Sequence, residues 1–324
     1  MSESSSEASE ADDALCDWLD EFASTPAEPF AVPAAADGDA DESAFEPAPH
    51  EVVAGGSGWV ESAATSLNHN GFCVLRSSDR LVPRDVCSAC ADSAERRLST
   101  LLELARRAGH ERPRRDVMRY SEVCSRTAGG MRFDVRLPAA GEPAGGAVAP
   151  PPPPPGLAVP PCWADFREHV TRWVAPVLRR AAGVAEVFDD SSGFVTALAG
   201  APDQHFHPDG TAAGLVNVFS PLIPVTFENG PTELRPGSHV WRETALGVEP
   251  RWDARRTLPV APALGAGEIL LFDYRVYHRG LANRSANPRP VGYLIFATRD
   301  GLRDLHNFPS DSLADAAGAA GGDR

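Results

Sequence analysis

The chain has 324 residues, room for one large domain or two small ones, and its 43% hydrophobic content is enough for a sizeable core. Its formal charge of −15 is concentrated in residues 1–50, which hold fourteen Asp or Glu and no Arg, so the rest of the chain is close to neutral. No basic excess is left to neutralise phosphates, which argues against nucleic acid as the main partner, and the complete absence of Lys excludes a Walker A loop, a lysine Schiff base and a protein-kinase lysine.

Residues 1–56 are rich in Ser, Glu, Asp, Ala and Pro, so a disordered acidic tail is expected there. Within it Leu15, Trp18, Leu19 and Phe22 follow helical spacing and form a candidate docking helix for a protein partner; the alternative is a solvated tail. The absence of an acceptable signal peptide or membrane-length apolar run leads to the expectation of a cytoplasmic protein, with organelle targeting open. One domain is expected over 57–308. Asn70-Gly71 followed by Phe72–Leu75 reads as turn then strand, and Val86 to Leu104 as a helix ending near Gly109. Cys87 and Cys90 have zinc-like spacing without a second pair to answer it, so the expectation is idle buried thiols. Met131–Leu137 alternates as a strand, with Arg132, Asp134 and Arg136 on one face, either contacting an anionic substrate or paired within the protein.

Residues 138–161 are expected to be a surface insertion whose run Pro150–Pro155 forms polyproline II, a second candidate site for a protein partner. Trp163, Phe166, Val170, Trp173, Val174 and Val177 mark a core-facing helix that Pro176 breaks or kinks. Short strands follow at Phe194–Leu198, Leu215–Phe219, Pro224–Phe227, Leu258–Val260, Glu268–Phe272 and Val291–Ala297, separated by Gly- and Pro-bearing turns. Many short strands after a helical first half point to an α+β chain with a mainly β core, a jelly roll or double-stranded β-helix with helices packed on one sheet. Residues 309–324 are expected to be a flexible C-terminal tail.

The stretch Gln204-His205-Phe206-His207-Pro208-Asp209-Gly210 carries the chemistry. If it is extended, His207 and Asp209 share a face. His278 follows 69 residues after Asp209, and Arg289 eleven after that. Two imidazoles and one carboxylate are the donors of a facial ferrous site, and a downstream guanidinium suits an anionic co-substrate. His205 competes for the first position but is four residues from Asp209 and is set aside as a neighbour.

These blocks resemble the phytanoyl-CoA dioxygenase family of Fe(II)/2-oxoglutarate oxygenases. Gln204–Gly210 is similar to its first ligand motif, Glu228–His239 to its central Asn-Gly-Pro and Pro-Gly-Ser-His block, and His278–Arg289 to its third-ligand and co-substrate motif. The resemblance is firm over Ser192–Ala297, weaker over 70–137, and does not cover 1–56 or the proline insertion. It implies that His207, Asp209 and His278 hold Fe(II), that Arg289 binds the distal carboxylate of 2-oxoglutarate, and that Asn217 adds a hydrogen bond to that co-substrate. It implies hydroxylation of a small-molecule or lipid-like substrate by O2, with 2-oxoglutarate converted to succinate and CO2 and ascorbate as a candidate accessory reductant. Asp209 disfavours the halogenase variant of the site, His239 is implied to be a structural turn residue, and Asp273 is either an orienting partner of His278 or a solvent-facing strand end. No basic cluster dedicated to CoA phosphates is visible, so the family name does not define the substrate. Two other readings stay open: a non-catalytic binding module on the same scaffold, and a cupin-like metal isomerase or hydrolase.

Overall fold

The computed structural model describes residues 45–111, 118–127, 129–137, 157–244, 247–250, 257–304 and 308–321. Leu15, Trp18, Leu19, Phe22 and the Pro150–Pro155 run lie outside the described residues. Twelve strands are named: β1 (Glu51–Val53), β2 (Phe72–Arg76), β3 (Val123–Ser125), β4 (Arg132–Leu137), β5 (Phe188–Ala197), β6 (Leu215–Pro221), β7 (Thr232–Leu234), β8 (Trp241–Thr244), β9 (Gly247–Pro250), β10 (Ile269–Asp273), β11 (His278–Gly280) and β12 (Arg289–Ala297). The helices are α1 (Trp59–Asn70), α2 (Arg84–Arg107), α3 (Cys162–Ala182) and α4 (Leu313–Gly321).

Eight strands form one large sheet in the order β1-β2-β10-β6-β12-β5-β4-β3. All of its pairs are antiparallel except β1 with β2. A second layer is assembled from short pieces. His207 bridges His278, β11 pairs with β7 from His278↔Leu234 to Gly280↔Thr232, and Leu234 bridges Val260. The layer therefore runs 207–278–234–260 across, facing the large sheet, which is the jelly-roll architecture expected from the strand pattern.

Alternation along the large sheet separates two cores. Val216, Val218, Leu271, Leu294 and Phe296 face α1, α2 and α3 and pack with Leu101, Trp163, Phe166 and Val174. Gly292 lies on this side, where a Cβ would meet the Phe166 ring at 2.5 Å, so glycine lets the helix settle onto the strand. On the opposite face Phe72, Val74, Leu270, Phe272 and Val291 meet Val225, Leu234, Leu264 and Val276 from the second layer.

The structure departs from expectation in several places. The acidic tail does not extend to 56: Phe45 stacks on His69 at 5.0 Å between centroids, and β1 pairs with β2, its Glu51 bound to Arg76 at 2.7 Å. The segment orders because an apolar ring and an open sheet edge are available to it. The C-terminal stretch forms α4, with Leu313 and Ala317 buried in the helix-side core, because those two apolar positions lie one helical turn apart. Finally, of the two outcomes expected at Pro176, a break does not occur: α3 runs through it to Ala182, since burial of Val174, Val177 and Leu178 on both sides of the proline outweighs one lost amide bond. Pro224–Phe227 and Leu258–Val260 contribute single bridges, Val225↔Leu264 and Leu234↔Val260, rather than full strands. Among the described residues no helix is long and apolar enough to cross a membrane.

Candidate metal centre

The Gln204–Gly210 stretch enters the second layer antiparallel to β11. The His207 amide donates to His278 O at 3.0 Å and the His278 amide returns to His207 O at 2.9 Å. This reciprocal pair brings residues 71 positions apart side by side, their ring centroids 4.8 Å apart. The Asp209 amide donates to Tyr274 O at 3.0 Å, which aligns the carboxylate beside the two rings. The bend at Gly210 passes close to Tyr274: a Cβ there would lie 2.6 Å from Cε1 of that ring.

One ligand atom each from His207, Asp209 and His278 lies within 4.8 Å of the others, and His278 Nε2 is 3.7 Å from Asp209 Oδ2. Both rings are oriented the same way. His207 Nδ1 sits 3.0 Å from His205 O, and His278 Nδ1 sits 2.9 Å from Val276 O. A carbonyl only accepts, so each Nδ1 carries the proton and each Nε2 keeps its lone pair. Burial, and next the neighbouring His278, hold the His207 ring well below the usual imidazole range, so it stays neutral. Two imidazole Nε2 lone pairs and one carboxylate, with no fourth protein donor in the cluster among the described residues, fit a ferrous ion that keeps exchangeable positions.

The inner face of the large sheet completes the surroundings. Asn217, on β6 and 2% exposed, donates from Nδ2 to Asp209 Oδ2 at 2.7 Å. Asn217 thereby meets a candidate ligand directly. Arg289 opens β12 and is also 2% exposed. Its Nε donates to Asn229 O at 3.3 Å, and its buried Nη2 has no hydrogen-bond partner among the described residues. Burial first, and Arg132 second, push this guanidinium down to about 9. A buried cation with an orphaned donor calls for an anion, and a carboxylate matches it in charge and planarity.

Other expected residues fall elsewhere. Arg132 is enclosed, and its Nη2 donates to the carbonyls of Pro202, Gly280 and Leu281 at 3.3, 3.3 and 3.0 Å, stitching the end of β11 to the chain leading into Gln204. Gly280 leaves the room this needs, since a Cβ there would collide with the Arg132 guanidinium. Asp273 does not orient His278; both its oxygens bind Arg275 at 2.8 Å. His239 sits in its turn with Nε2 3.1 Å from Asn68 O, far from a donor role in the cluster. Cys87 and Cys90 are buried on α2; the Cys90 thiol donates to Cys162 O at 3.3 Å, and burial pushes Cys87 up to about 11. Neither belongs to a metal-capable group among the described residues.

Sequence reasoning missed Arg126 and Tyr293. Arg126 binds Asp134 Oδ2 through Nε at 3.2 Å and Nη2 at 2.7 Å, and its charge is felt at Asp209 and His207. Burial raises the Asp134 carboxyl and the Tyr293 phenol, which interact with one another. Strand parity was the available signal: Arg289, Val291, Tyr293 and Ile295 alternate with the helix-facing residues of β12, and Asp134 alternates with Phe133 and Val135 on β4.

Residues 152–291 match the family model described as Phytanoyl-CoA dioxygenase (PhyH), a span that contains all five expected site residues. Dioxygenase aneA of Aspergillus aculeatus is 39% identical over 84 residues, 25% of this chain, and the match spans about a quarter (26%) of that protein's length. The non-heme alpha ketoglutarate dependent carbocyclase SnoK from nogalamycin biosynthesis superposes over 78% of this chain and 92% of its own, at TM-score 0.48 and 17% identity. The epimerase SnoN, solved with Fe3+ and alpha ketoglutarate, covers 74% of this chain and 83% of its own at TM-score 0.46 and 17% identity.

Proposed function

We propose, from the match of residues 152–291 to the phytanoyl-CoA dioxygenase family model and from the site geometry, that this chain is an Fe(II)/2-oxoglutarate-dependent oxygenase hydroxylating a small-molecule or lipid-like substrate. The observation that carries the reading is the convergence of His207, Asp209 and His278, with Arg289, whose buried Nη2 has no hydrogen-bond partner among the described residues, on the same sheet face as Asn217. His207, Asp209 and His278 would hold the iron, and Arg289 the distal carboxylate of 2-oxoglutarate. Iron with 2-oxoglutarate supplies the oxidising chemistry, in which O2 is consumed, 2-oxoglutarate becomes succinate and CO2, and a substrate C–H bond becomes C–OH.

The protein's own residues set up that chemistry. The carbonyls of His205 and Val276 fix both tautomers, so Nε2 of each ring is available without loss of a proton. Burial keeps His207 neutral, which favours metal over proton binding. Arg289, fixed through Nε, presents its remaining donors to one end of a dicarboxylate and so orients the other end. Phe272, packed on His278 at 4.8 Å, and Phe219 exclude water from one flank of the rings.

The test is succinate release with Fe(II), ascorbate, 2-oxoglutarate and a small-molecule metabolite pool. Wild type is expected to give substrate-stimulated succinate, and His207→Ala and Arg289→Ala to fall toward background. Equal release by all three proteins overturns the reading. Metal-dependent thermal stabilisation with no increment from N-oxalylglycine would favour a cupin-like isomerase or hydrolase instead.

A further inference from the structure

We infer that Asn217 is a positioning residue for the metal centre: by donating to Asp209 it holds the one anionic ligand in its binding orientation, and its role is exerted on metal affinity rather than on the co-substrate. The inference rests on the reading of His207, Asp209 and His278 as the iron ligands. Asp209 lies on the loop leaving the second layer, and its backbone is held by one bond, to Tyr274 O at 3.0 Å. Its side chain is therefore free to rotate about the Cα–Cβ and Cβ–Cγ bonds unless something grips the carboxylate. The grip comes from the other sheet. Asn217 is central in β6, paired with Phe272 on one side and Ile295 on the other, and is buried to 2% exposure. Its Nδ2 donates to Oδ2 at 2.7 Å, the same oxygen that stands 3.7 Å from His278 Nε2.

Three consequences follow from the chemistry of that contact. A carboxylate whose Oδ2 is held from one side and faces His278 on the other has a fixed plane, so it meets a cation already oriented. The neutral amide donor compensates the partly buried carboxylate with a hydrogen bond and contributes no charge that would repel a cation. The amide occupies one of the two lone pairs of Oδ2, so the other stays directed toward the side on which His278 Nε2 lies and would be available to a cation.

The experiment measures two affinities on the full-length protein. Anaerobic Fe(II) titration gives the metal affinity, and N-oxalylglycine titration at saturating metal gives the co-substrate affinity. Asn217→Leu, close in size and without a donor, and Asn217→Ala are compared with wild type and Arg289→Ala, with apo-protein melting as the check of folding. Metal affinity of both Asn217 variants is expected to fall about 10- to 100-fold, with N-oxalylglycine affinity within about two-fold of wild type. Arg289→Ala should show the opposite pattern. Wild-type metal affinity in either folded Asn217 variant overturns the inference, as does a loss confined to N-oxalylglycine, which would put Asn217 on the co-substrate. If wild type itself binds no Fe(II), the reading of the triad fails and this inference falls with it, an outcome distinct from failure of Asn217 alone.

Discussion

The two faces of β6 and β12 are built from the same strands and do opposite work. Outward, Val216, Val218, Leu294 and Phe296 are apolar and fully packed under the helices. Inward, Asn217, Arg289 and Tyr293 alternate with them, and the buried Arg289 Nη2 and Tyr293 hydroxyl have no hydrogen-bond partner among the described residues. Burying such polar atoms costs stability that a folded domain recovers elsewhere. The helix-side core is where it is recovered: it is the larger cluster and draws on all four helices. One face stores stability and the other holds chemistry, and the pleat of a strand keeps the two separate at the spacing of one residue.

The contrast can be broken most forcefully at the triad. His278→Ala or Asp209→Ala should abolish Fe(II) binding and bring succinate release to background while the apo protein still melts cooperatively; anaerobic titration and differential scanning calorimetry measure the two sides. On the outer face the pattern inverts. Phe296→Ala should cost about 3–5 kcal/mol in chemical denaturation, with metal affinity of the folded fraction unchanged. A large metal effect there would show that the faces are coupled. Leu313→Ala tests whether α4 belongs to the stability side: a loss of about 2–3 kcal/mol is expected, whereas deletion of an unattached end would cost nothing.

Arg289→Ala should raise the KM for 2-oxoglutarate about 10- to 100-fold, the equivalent of about 1.5–3 kcal/mol for a hydrogen bond to a charged group, with little change in melting. Removing a half-satisfied buried cation relieves the inner face even as it removes function. The smallest effect concerns acid. His50 and His239 are both held below the ordinary imidazole range, chiefly by burial. Between their native values and about 6.5 the unfolded chain binds protons that the native chain does not, so their contribution is complete above about pH 6.5 and declines on acidification. Apo-protein denaturation between pH 7.5 and 5 should show this fall, and His239→Gln should flatten it by about 1 kcal/mol or less.

Much of this was legible without coordinates. The short strands with Gly and Pro punctuation give a jelly roll because a period-2 pattern allows only one face per layer to be wet. His207 and Asp209 were recognisable as a pair because two-residue spacing on an extended segment forces a shared face. His278 was marked by its place in a block resembling a family motif, and the structure sets it beside His207. Tertiary structure decided what has no local signature. The contact of the Asn217 amide with Asp209 depends on the separation between two sheets, which no single strand encodes. Asp273 was captured by Arg275 two residues away, leaving the His278 tautomer to a backbone carbonyl. Phe45, β1 and α4 ordered because the folded body offered them a ring, a sheet edge and a groove, opportunities that composition in an acidic or Ala-rich segment does not reveal. Local sequence specifies which residues share a face; only packing determines which atom on the opposite face each one meets.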